Sequence, residues 1–250
     1  MSEEEIIYFL ERPFKVVRRQ QRRSLVIKLH PDKANQVLAN LSVPKKVIND
    51  FLLAKSDWLE KNLKKIEAYK ASYKIPAFKD GQQFPYFGEM KYFMFARTPL
   101  KKMRIVVEEG FLVCYVPLDK PEWMTEIKKL QSELIHFYKK EAAGYLIQRG
   151  HFLSQMTGLK PRQFKIQTAR TRWGSCNSQK VINLNWKLIV FGYMLIDYVI
   201  IHELCHLKHM NHSSAFWSLV GDHCSNYKDL QTHLKQQTTQ AAFLDQILIS

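Results

Sequence analysis

The stretch Ile196-Asp197-Tyr198-Val199-Ile200-Ile201-His202-Glu203-Leu204-Cys205-His206-Leu207-Lys208-His209-Met210-Asn211-His212-Ser213-Ser214-Ala215-Phe216-Trp217 decides how the chain is read. Its first half is apolar enough for a buried helix. On such a helix His202 and His206, four residues apart, share one face, a turn above each other. Two imidazoles so placed can converge on one metal ion at about 2 Å from each nitrogen. Glu203 is offset to a neighbouring part of the cleft. A carboxylate there need not ligate; it can take a proton from a water activated by the metal. The mostly apolar residues 197–201 make a dry wall, which strengthens the field of an ion.

A catalytic zinc takes three protein ligands and keeps one position open. His212 ranks first as the third. Asn211 before it tolerates the left-handed conformation that ends a helix, and Ser213 reads as the cap of a new helix through Ala215, Phe216 and Trp217. Asp222 or His223 on that later helix ranks second. His209 ranks last, because seven residues of straight helix carry it about 10 Å beyond His202. A structural zinc would favour four protein ligands with cysteine among them. Cys205, however, points away from the histidine face and reads as a small core residue.

Residues 202–217 resemble the signature of the YgjP-like zincin metallopeptidases, relatives of the SprT and WLM proteases. Arg170-Thr171-Arg172-Trp173-Gly174-Ser175-Cys176 and Ile182-Asn183-Leu184-Asn185-Trp186 are similar to that family too, and a weaker resemblance extends over most of the chain. It implies a minimal zincin fold, a zinc held by His202, His206 and His212, and Glu203 as catalytic base. The metzincin proteases share the histidine spacing but carry Gly where this chain has His209, which argues against a metzincin proper.

Composition sets the outer bounds. With 250 residues, 46% of them hydrophobic, the chain can build one large or two modest cores. No apolar run approaches the ~18 residues of a membrane span, and the acidic start Met1-Ser2-Glu3-Glu4-Glu5 is unlike a signal peptide. Cys114, Cys176, Cys205 and Cys224 are scattered, which suggests a reducing cytoplasm. A net charge of +15 favours acidic proteins, nucleic acid or anionic substrates as partners, or simply keeps the surface soluble. Arg18, Arg19, Arg22, Arg23, Lys15, Lys28 and Lys33 concentrate that charge in the segment 15–33. The segment reads either as a phosphate grip or as an edge strand blunted by charge.

In chain order, alternation over 25–29 and 37–41 predicts two paired strands around a Pro31-Asp32 turn. Helical spacing of Val47, Phe51, Trp58, Leu59 and Leu63 follows, with Ser56 starting a second helix. Strands are expected at 88–95, 103–107 and 111–116, with a tight turn at Glu109-Gly110. Then come a long helix over 122–157 stopped by Gly158, strands at 164–169 and 181–186, and the histidine helix to about Met210. Two further helices are expected at 214–223 and 229–236. No internal repeat is visible. The class is α+β: a β-rich basic N-terminal domain at 1–120 with helices near 45–70, and a minimal zincin-like domain at 121–250 whose active-site helix packs on a small sheet.

The expected chemistry is hydrolysis of an amide with Zn2+ as Lewis acid and Glu203 carrying the proton to the leaving amine. Arg170, Arg172, Trp173, Asn183 and Asn185 are candidates for contacting substrate. Arg170, Arg172 or Tyr227 could face the oxyanion. Trp173 and Cys176 either line the cleft or pack its loop, and the strand at 181–186 could be an edge that accepts an extended peptide. Two other classes compete: a metal-dependent hydrolase of phosphoanhydride or nucleotide substrates, and a nucleic-acid-associated protein with a structural zinc. The histidines speak against the first, since such hydrolases more often use carboxylate-held magnesium.

Overall fold

Alternation and turn chemistry build two four-stranded sheets in this chain, and each belongs to a different unit. The computed structural model describes residues 5–29, 34–72, 78–169 and 171–247. The chain separates into the units Met1–Lys74 and Ile75–Ser250.

In the first unit, β1 (Ile6–Phe9) and β2 (Arg12–Arg18) form a hairpin; β3 (Val26–Lys28) and β4 (Asn35–Ala39) pair as the alternation requires. The sheet order is β1-β2-β4-β3, with β2 and β4 parallel. The residues do not announce the first hairpin. Its turn residues Leu10 and Glu11 sit at φ 50° and 57°, a conformation that Asn-Gly usually signals and Leu-Glu does not. α1 (Lys45–Leu53) and α2 (Ser56–Ser72) follow, and Ile48, Leu52, Leu59 and Leu63 pack with Phe14, Val16 and Val37. The buried stripe is shifted from the one expected: Val47 and Trp58 face outward. Arg18 is spent internally, donating to Glu5 Oε2 at 2.8 Å and to the Val43 carbonyl at 2.7 Å. Asn40 pins the loop after it through the carbonyls of Gln20 and Arg22. Arg19, Arg23 and Lys28 are exposed. The expected Pro31-Asp32 turn, with Lys33, lies outside the described residues.

The second unit opens on β5 (Gln83–Tyr86), β6 (Glu89–Thr98), β7 (Arg104–Glu108) and β8 (Phe111–Pro117), ordered β5-β6-β8-β7 with β6 and β8 parallel. This is the strand order of the first sheet, a repeat of topology that the residues do not announce. The Glu109-Gly110 turn forms as expected, at φ 49° and 86°. The residues predict a domain boundary near 120; the compact units part at 74, and Phe84, Phe93, Ile105, Leu112 and Val116 share one core with the helix that follows. That helix, α3 (Ile127–Thr157), buries Leu130, Leu134, Tyr138, Ala142 and Leu146 at four-residue spacing and ends on Gly158 at φ 69°.

A three-stranded sheet, β9 (Gln163–Gln167), β10 (Gly174–Cys176) and β11 (Val181–Asn185), has the order β10-β11-β9. After it come a 3-10 turn at Trp186–Val190, α4 (Tyr193–Cys205), α5 (Ser214–His223), α6 (Tyr227–Gln237) and α7 (Ala242–Ile247). α4 buries Leu195, Ile196, Val199, Ile200, Leu204 and Cys205, so it is held on nearly all sides. Its start is fixed by the β5–β6 turn: Phe87 N and Gly88 N donate to the carbonyls of Ile189 and Val190 at 2.7 and 3.1 Å. Gly88, at φ 82°, leaves no room for a Cβ, which would meet Gly192 Cα at 2.7 Å. Lys187, 2% exposed, pairs with Asp245 of α7 and so ties α7 to the core that Phe243, Leu244 and Ile247 fill. All four cysteines are free. Among the described residues no helix is long and apolar enough to cross a membrane.

Candidate metal centre

α4 ends at Cys205, earlier than the Met210 expected, and Asn211 is not left-handed. The chain turns over 206–208 instead, with Leu207 N and Lys208 N donating to the carbonyls of Leu204 and Cys205. His206 takes part in that turn. Its Nδ1 lies 2.9 Å from the His209 carbonyl. A carbonyl only accepts, so Nδ1 carries the proton and Nε2 keeps its lone pair for the cleft. His209 thus contributes its backbone rather than its ring.

Ser213 caps α5 as expected, accepting from Phe216 N, and the short link before it brings His212 back over α4. His212 Nε2 stands 3.1 Å from His202 Nε2. Ligands of one tetrahedral ion at about 2.0–2.1 Å are about 3.4 Å apart, so the two nitrogens are spaced as such a pair. One ligand nitrogen each from His202, His206 and His212 lies within 4.8 Å of the others. Among the described residues no other group of three or more His, Cys, Asp or Glu could hold a metal ion; Asp222 and His223 do not join this one. α5 helps hold the rings in place: Phe216 stacks on His206 at 4.5 Å and Trp217 on His212 at 5.5 Å, and Tyr227 stacks on Trp217 at 5.4 Å.

Of the three donors His206 is buried, His202 half-buried and His212 exposed. Burial, with the two neighbouring imidazoles, pulls His202 down to about 3; burial also lowers His206. Burial pushes the Glu203 carboxyl up to about 8, with Arg172 acting against it. A divalent cation beside Glu203 would also favour its ionised form. Among the described residues His202 Nδ1 and Glu203 Oε2 are buried without a hydrogen-bond partner. The Glu203 carboxyl lies where a side chain at Gly174 would be: a Cβ there would come within 2.6 Å of Oε1. Gly174 is therefore the space that Glu203 occupies.

A cleft of 390 Å3 opens over the histidines. Arg172, Trp173 and the whole of β10 line one side; Tyr198, Val199, Met210 and Leu234 complete it. Tyr198, one turn before His202 on α4, was not singled out in the sequence, although its spacing of four places it on the histidine face. Asn183 and Asn185 do not reach the cleft. Asn185 is 1% exposed and its Nδ2 donates to the carbonyls of Ala169 and Arg172 at 2.8 and 3.0 Å; Asn183 Nδ2 faces Ser175 Oγ at 3.5 Å. Tyr227 is stacked on Trp217 and lies outside the cleft lining. Arg170 lies outside the described residues. The Cys176 thiol lines the cleft, and burial, with the Glu203 charge, pushes it up to about 11, which disfavours the thiolate a nucleophile needs. β11 is the central strand of its sheet, so the free edge beside the histidines belongs to β10 instead.

A family model described as YgjP-like, metallopeptidase domain, matches residues 23–237. No curated protein matches the chain at a significant level. Among solved structures, the metallopeptidase zymogen of Pyrococcus abyssi abylysin is similar at 19% identity, over 37% of this chain and 93% of that one, with a TM-score of 0.34. The metallopeptidase zymogen of Methanocaldococcus jannaschii jannalysin is similar at 18% identity, over 37% of this chain and 96% of that one, also at 0.34.

Proposed function

Since the chain belongs to the YgjP-like metallopeptidase family, a family whose activity implies a divalent metal, we propose that it is a zinc-dependent peptidase with Glu203 as general base. The observation that carries this reading is the gathering of three imidazole nitrogens within 4.8 Å, beside a buried carboxyl. Neutral imidazole donors suit zinc, whereas magnesium and calcium prefer oxygen ligands. His202, His206 and His212 would hold the ion. When bound, it would supply a Lewis acid that polarises the scissile carbonyl and makes water more acidic.

The remaining work falls to the chain. Glu203 Oε2, free of other partners among the described residues, takes a proton from the attacking water and passes it to the leaving amine. The apolar walls at Val199, Met210 and Leu234 limit competing water. β10 offers backbone groups along an open edge, which supports an extended peptide rather than a compact small molecule as the substrate.

Metal analysis of the purified protein should find about one zinc per chain, and His206→Ala should lose at least tenfold in zinc affinity. Full zinc retention in that variant would remove His206 from the ligand set and the reading with it. Gly174→Ala is expected to drive the Glu203 carboxyl from its place. Zinc content should persist while peptide turnover falls at least about tenfold, as misplacement of a catalytic group by 1 Å costs about a hundredfold. Paired metal and rate measurements on this variant check it.

A further inference from the structure

Among the described residues that line the cleft, histidines apart, Arg172 is the one cation and Glu203 the one carboxyl group. Arg172 is exposed, and its guanidinium makes no hydrogen bond or ion pair among the described residues. Its backbone, in contrast, is fixed. The buried Asn185 amide holds the Arg172 carbonyl at 3.0 Å, and Asn185 N donates to the Trp173 carbonyl at 2.8 Å. The result is a clamped main chain that presents at the cleft a planar cation with no hydrogen-bond partner among the described residues, within electrostatic reach of Glu203. A guanidinium there is matched to a carboxylate, which it can grip with two parallel hydrogen bonds.

Its place along the chain says where that carboxylate would be. Arg172 precedes Gly174 by two residues, and Gly174 lies against Glu203. Two residues of extended chain span at most about 7 Å. A peptide strand laid on β10 with its scissile bond at Glu203 therefore brings a group from one or two residues away to the guanidinium.

Resting on the peptidase reading, we propose that Arg172 is a specificity-determining residue that binds a substrate carboxylate, so that the cleft selects peptides with an acidic side chain or a free C-terminal carboxylate within two residues of the cleaved bond. The carboxylate recognised is the same in both cases, and the two sources are separable.

The test uses zinc-loaded Glu203→Gln protein, which holds peptides without cutting them, and titration calorimetry. Three short apolar peptides share one sequence: a central Glu with an amidated end, a central Gln with an amidated end, and a central Gln with a free C-terminal carboxylate. At least one carboxylate peptide should bind about tenfold or more tightly than the neutral one, and which one does names the source. Adding Arg172→Ala should bring the ratio to near one, and Arg172→Lys should restore part of it. A residue that only stabilised the oxyanion would lower kcat for all three peptides alike and leave the binding ratio intact. Equal binding of all three, a ratio that survives Arg172→Ala, or no binding at all overturns the proposal. Failure of the peptidase reading shows separately, as wild-type protein that binds the peptides but cuts none.

Discussion

Glu203→Gln is expected to lower peptide turnover by about 10²–10⁴ while zinc content and melting temperature stay within error of wild type. Gln has the shape of Glu and fills the same space against Gly174, so packing is preserved. It cannot accept the proton of an attacking water. The group it replaces is 6% exposed, with Oε2 unpartnered among the described residues, so no structural hydrogen bond is lost from that atom. This separates the base from a residue that holds the helix in place. Initial rates on a peptide mixture, taken with metal analysis on the same samples, make the comparison. Activity within threefold of wild type at equal zinc content would falsify the assignment of Glu203 as base.

The second large effect is on stability. Asp245→Ala should destabilise the protein by about 3 kcal/mol, because it leaves the Lys187 ammonium buried without its counter-charge. Lys187 is 2% exposed, and among the described residues the one other hydrogen bond of its ammonium goes to the Ala169 carbonyl at 3.4 Å. Asp245 itself is 24% exposed at its side chain, so water can reach the vacated place and the loss sits at the lower end of the buried-pair range. For a unit of this size the melting temperature should fall by about 6–12 °C. Replacing both partners, as Lys187→Met with Asp245→Leu, should recover most of that loss, since an apolar pair carries no desolvation cost. Denaturant unfolding checks both; a change under about 1 kcal/mol in Asp245→Ala would mean that Lys187 finds another partner.

What could be read from the residues was mostly local. The spacing of His202 and His206, the Ser213 cap, the Gly158 stop and the Glu109-Gly110 turn each depend on a few neighbouring residues, and each forms as expected. What escaped depends on partners far along the chain. β10 is three residues, Gly-Ser-Cys, with no strand pattern of its own; its pairing with β11 makes it a strand and leaves it at the edge. Asn185 looked like a substrate contact because it is polar and sits in a motif, yet it is buried to satisfy two loop carbonyls. Gly174 carries no chemistry in sequence, and its meaning appears only when the Glu203 carboxyl is seen in the space it leaves. The division at 74 escaped for the same reason: β5 to β8 look complete alone, but their apolar face needs α3.

The stack of Trp217 on His212 has a practical meaning. An indole pressed against an imidazole has an emission that shifts when that ring gains charge or a neighbouring ion. Trp217, one of five tryptophans, is thus an intrinsic optical reporter beside His212, and loading could be followed by the change in its fluorescence without any dye or label.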